Sequence, residues 1–116
     1  MWSTHILDSA RAKKKQAREQ LRVRLLDAAM QALDKLSQLL QFDKAYVFGS
    51  VARQQGFDEL SDLDIAFAGL RDEDYFTAAA FLSREVGIDE VDVVQLEGHR
   101  LASTIVKEGI PWKRKG

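Results

Sequence analysis

Lys44-Ala-Tyr-Val-Phe-Gly-Ser-Val-Ala-Arg53 and Asp62-Leu-Asp-Ile-Ala-Phe-Ala68 are the stretches on which the fold turns. The first begins with a short β-branched and aromatic run, Lys44 to Phe48, that stops at Gly49-Ser50, which predicts a strand followed by a turn and a new helical turn. The second predicts another strand. Its alternation sends Leu63, Ile65 and Phe67 one way and Asp62, Asp64, Ala66 and Ala68 the other, so its start is polar on one face only. Upstream, Ser9 to Gln41 holds no glycine or proline, and apolar residues recur at Leu21, Leu25, Ala28, Ala32, Leu36 and Leu39, widened by Leu26, Ala29, Leu33 and Leu40. That period predicts one long helix whose second half packs on a core. Downstream, Asp72 to Val86 reads as a helix with acidic residues in its first turn and Gly87 as its stop. Glu90 to Gln95 reads as a third strand that looks buried, and Arg100 to Lys107 as a last helix closed by Gly109. Helices and strands therefore alternate, which points to an α/β (α+β) domain with helices covering one face of a small sheet and the other face left free. The pattern does not decide between a parallel, antiparallel or mixed sheet.

The 116 residues suffice for one domain, expected as a helical extension over 1–41 and a core over 42–112. With 46% hydrophobic and 30% charged residues, disorder, collagen-like repeats and a membrane span are excluded. The absence of cysteine removes disulfides, thiolate zinc sites and cysteine nucleophiles, and two histidines, His5 and His99, cannot make a histidine-rich metal site. The N-terminus lacks a signal peptide's apolar centre, so a cytoplasmic location is expected. Charge is uneven: residues 1–24 carry seven Lys/Arg against two acids, and the rest ten against sixteen. The basic end could meet an acidic partner or nucleic acid, although a solvated helix face is the commoner meaning of such a run, and the acidic remainder speaks against a nucleic-acid-binding body.

Three features carry chemistry. Gly49-Ser50 directly after a strand lets a ligand approach the backbone, where free amides attract phosphate. Asp62 and Asp64 project from the same face about 7 Å apart along the strand, so both carboxylates look into one space. Converged to ~4 Å they would repel by about 4 kcal/mol at an effective dielectric near 20, which calls for a positive charge between them. Oxygen donors alone suit Mg²⁺ or Mn²⁺ accompanied by substrate phosphates. Asp92, flanked by Val91, Val93 and Val94, is either neutralised, paired or metal-bound, or else lies in solvent on an edge strand.

Taken together, Gly49-Ser50-Val-Ala-Arg53, then, with eleven residues between Ser50 and Asp62, Asp62-Leu-Asp64-Ile, and later Val91-Asp92-Val-Val resemble the minimal nucleotidyltransferases of the DNA polymerase β superfamily. More narrowly they resemble the antitoxins paired with HEPN-domain ribonuclease toxins. The ending Ile105-Val-Lys-Glu-Gly-Ile110 is similar to the close of these domains. One departure is visible: many members have a glycine directly after the arginine, where this chain has Gln54-Gln55-Gly56. The resemblance implies a mixed sheet flanked by helices and ATP as the donor nucleotide. It implies that Asp62 and Asp64 hold two Mg²⁺ ions, that Asp92 completes one metal site and orients the acceptor hydroxyl, and that Gly49 and Ser50 hold the triphosphate. Arg53 would support the phosphates or the loop. The implied function is transfer of AMP to a tyrosine of a HEPN-type toxin, with homo- or hetero-oligomers possible and no membrane or nucleic-acid partner. Alternatives are a module that neutralises its partner by contact alone, and a subunit acting on a small-molecule hydroxyl. His99 reads as a cap or surface residue, His5 as part of a frayed terminus, and Trp2 and Trp112 as covers of the core or an interface.

Overall fold

The computed structural model describes residues 4–53 and 62–113, with side chains from residue 10 onward. Trp2, the side chain of His5 and the 54–61 spacer lie outside the described residues. The chain runs α1 (Thr4–Leu36), β1 (Lys44–Phe48), a 3-10 turn (Gly49–Ala52), β2 (Leu63–Ala68), a second 3-10 turn (Asp72–Asp74), α2 (Tyr75–Val86), β3 (Val91–Gln95), α3 (Ala102–Glu108) and β4 (Ile110–Trp112). The strands form one four-stranded sheet in the order β3-β2-β1-β4. β1 pairs antiparallel with both β2 and β4, while β2 and β3 are parallel, so the sheet is mixed.

The expected alternation along β2 sets the two faces. Leu63, Ile65 and Phe67 join Ala45 and Val47 of β1 beneath α1 and α2, meeting Ala29, Leu33, Leu36, Ala78 and Leu82, all fully buried. Burying such a side chain contributes roughly 1.5–3 kcal/mol, which makes this the principal core. Phe42 links its parts, with its ring 4.9 Å from Phe67 in an edge-on contact and 5.0 Å from Trp112. Trp112 is a core residue, and its indole N–H donates to Asp34 of α1 at 2.8 Å.

Three expectations require correction, and one element was not foreseen. The first helix ends at Leu36 rather than Gln41, because residues 37–40 close into tighter turns, with Gln38 and Leu39 donating to the carbonyls of Lys35 and Leu36. Those turns swing Phe42 inward and leave Leu39 of the expected apolar stripe exposed. The helices do not share one face: Ile105 of α3 packs on Tyr46 and Ala66, on the side of the sheet opposite α1 and α2. β3 is an edge strand, half-buried at best, rather than a buried one. Finally, residues 110–112 form β4, which three residues around Pro111 did not announce; proline is tolerated there because the outer side of an edge strand needs no donor.

Candidate nucleotide and metal site

The register of the sheet assembles the site. Asp64 lies opposite Phe48 of β1 and beside Asp92 of β3, so the end of β1 that enters the glycine turn and the two acids meet at one corner. Asp64 belongs to the face of Ala66, the less covered face, as period-two alternation requires. The half-buried Asp64 carboxyl is within hydrogen-bonding reach of exposed Asp92. Burial first, and then the nearby charges of Asp92 and Asp62, push its pKa up to about 6. Asp62 is exposed, one residue ahead of β2. Asp64 and Asp92 are thus brought together, with Asp62 acting on them through its charge. Among the described residues, no three His, Asp or Glu side chains are gathered tightly enough to enclose a metal ion.

The Gly49–Ala52 turn abuts this carboxylate. Gly49 has φ +78°, and a Cβ built on it would lie 2.3 Å from Oδ2 of Asp64. Only a residue without a side chain lets backbone and carboxylate approach so closely. Ser50 is half-buried and its carbonyl accepts from the Arg53 amide at 3.1 Å, closing the turn, while the Arg53 side chain is exposed. The donors at this corner are all oxygens, one of them a carboxyl that its neighbours make reluctant to ionise. A hard divalent cation carrying phosphate oxygens fits that set, since its charge would offset the burial and, after it, the repulsion that raise Asp64.

One residue at this corner escaped the sequence reading. Arg22, within the basic N-terminal run, is buried at 8% exposure. Its guanidinium donates to the Val51 carbonyl at 2.9 Å and, through two further N–H groups, to both carboxylate oxygens of Glu19 at 2.9 and 2.6 Å. This hydrogen-bonded pairing holds Glu19 below the usual carboxylate range and raises Arg22 further. The signal was present in the spacing: Arg22 falls on the stripe that continues through Ala29, Leu33 and Leu36, where an apolar residue belongs. In the flanking run, residues 10–18 are all exposed. His99 does not cap α3, whose N-cap is Leu101; its Nδ1 accepts from the Leu101 amide at 3.0 Å in the turn ahead of the helix, and the residue is half-buried.

With this geometry established, residues 31–113 match the family model described as polymerase beta, nucleotidyltransferase. Among solved structures the chain is similar to a candidate nucleotidyltransferase from Sulfolobus solfataricus, at 25% sequence identity and a TM-score of 0.51, over 80% of this chain and 84% of that one. No curated protein matches it.

Proposed function

Because the chain belongs to the polymerase β nucleotidyltransferase family, we propose that it transfers AMP from ATP to a hydroxyl, with Mg²⁺, and that the acceptor is a tyrosine of a HEPN-type toxin that it thereby silences. The observation that carries the nucleotidyl-transfer reading is the register pairing of Asp64 with Asp92 beside a glycine turn that admits no side chain. Asp62, Asp64 and Asp92 would hold two Mg²⁺ ions, which when bound supply charge neutralisation at the triphosphate. The amides of Gly49 and Ser50 would receive the phosphates, and Arg53, exposed at the turn's end, would support the phosphates or the loop. Asp92, at the exposed edge of the site, orients the acceptor hydroxyl. The hydroxyl gives up its proton to solvent as its oxygen bonds to the α-phosphorus and the bond to the β-phosphate oxygen breaks, and pyrophosphate leaves in line. No protein nucleophile is needed, so the work of the chain is positioning.

The partner assignment rests on the resemblance to HEPN-paired antitoxins and on the exposed outer turns of α1, residues 10–18, which leave a basic surface for another protein. The deciding experiment is calorimetric titration of ATP into the chain, with and without Mg²⁺, for wild type, Asp62→Asn and Asp64→Asn. Binding that requires both the metal and the acids is expected. Equal binding by Asp64→Asn would overturn the assignment of the site.

A further inference from the structure

The Gly49–Ala52 turn is a single 3-10 turn followed by extended backbone at Arg53. What holds it from outside is Arg22. The guanidinium spends one N–H on the Val51 carbonyl, in the middle of the turn, and is itself aimed by the two-pronged contact with Glu19 one helical turn away. Val51 is fully buried, so the turn is anchored by its side chain on one side and by its carbonyl on the other. A charged donor on a buried backbone carbonyl is among the stronger neutral-to-ion hydrogen bonds, and burial keeps water from replacing it.

We propose that Arg22 is a positioning residue of the nucleotide site: held by Glu19, it fixes the Gly49–Ala52 turn against Asp64 so that the turn's amides and the carboxylates face the same triphosphate. This inference rests on the nucleotidyl-transfer reading. It also gives α1 a part in the chemistry from a position ahead of residues 31–113, the span that the family model covers. Lysine would not be equivalent, because one ammonium can reach the Val51 carbonyl but lacks the fork that grips both Glu19 oxygens.

The test compares wild type, Arg22→Gln, Arg22→Lys and Glu19→Gln by calorimetry with ATP and Mg²⁺, by hydrogen exchange of the amides of residues 50–53, and by thermal unfolding. Arg22→Gln is expected to weaken ATP binding about tenfold and to speed exchange in the turn, the scale set by misplacing groups that must act together. Arg22→Lys should recover most of the affinity, and Glu19→Gln should fall between. A merely structural role would lower the melting temperature without changing ATP affinity below it. Wild-type ATP affinity in a folded Arg22→Gln, whatever its turn exchange, would overturn the proposal. If Arg22→Gln does not fold, the order of Arg22→Lys and Glu19→Gln decides, and equal ATP affinity in both and in wild type overturns it. If wild type itself binds no ATP, the nucleotide reading fails by itself. Exchange then judges the clamp, and unchanged exchange in Arg22→Gln refutes that as well.

Discussion

At the scale of a residue, Asp64 carries a measurable cost. Its folded pKa of about 6 lies above the ordinary carboxylate value of 3.8, chiefly through burial and then through the charges of Asp92 and Asp62. The folded chain therefore holds a proton there that the unfolded chain releases sooner. The resulting stabilisation is fully present below the unfolded value and is lost as pH rises through the folded one. Asp64→Asn removes the titration while keeping the shape. In EDTA, its melting temperature should exceed that of wild type at pH 8 and converge toward it at pH 4.5. For a half-exposed group the difference is roughly 1 kcal/mol, or about 4 °C. A gap between the two proteins that does not change with pH would show that Asp64 is not strained by its neighbours. The same repulsion is the physical reason to expect a cation, since a bound metal would turn the cost into a gain.

At the scale of an element, the 3-10 turn after β1 depends on Gly49 in a way that the turn at Gly87 does not depend on its glycine. Gly49 and Gly87 share nearly the same left-handed backbone, φ +78° and +81°, but a Cβ at Gly87 meets nothing within 4 Å while one at Gly49 meets Asp64. Gly87→Ala should thus cost about 1 kcal/mol of stability from backbone strain alone and leave ATP binding unchanged. Gly49→Ala should add to that a loss of ATP affinity of about tenfold or more, near 1.4 kcal/mol, because the carboxylate or the turn has to move. Calorimetry and thermal unfolding of the two variants side by side would check this; equal ATP affinity in both would remove the turn from the site. The glycine was legible in the sequence because it broke a β-branched run, and the two faces of β2 were legible because alternation is a local property. The placement of α3 opposite α1 was not, since Ile105 reveals nothing of which face it covers until the connection after β3 is known. β4 was hidden for a similar reason: Ile110-Pro-Trp112 is too short to show a period, and its strand identity comes from β1 beside it.

At the scale of the whole molecule, α1 does two jobs on different parts of its length. From Arg22 onward it contributes a buried cation to the turn and then Ala29, Ala32, Leu33 and Leu36 to the core, whereas residues 10–18 are exposed throughout. The arm makes the molecule long in one direction, 62 Å against 28 and 27 Å. Sequence could foresee the division between basic and apolar halves, but not that one of the basic residues crosses it. A run of like charges has the same composition whether its members face water or a carbonyl. The two halves should separate under mutation. Reversing Lys13, Lys14 and Lys15 to glutamate touches only exposed positions, so stability should change by less than about 0.5 kcal/mol and ATP affinity should stay at the wild-type value. Binding to a HEPN-type partner, measured by titration against the purified toxin, should weaken in the triple variant, and the wild-type affinity should fall as salt is raised, because exposed charges are screened. A partner affinity indifferent to both the substitutions and the salt would move the interface off the arm and onto the body, where Phe76, exposed at the start of α2, offers the largest uncovered apolar side chain among the described residues.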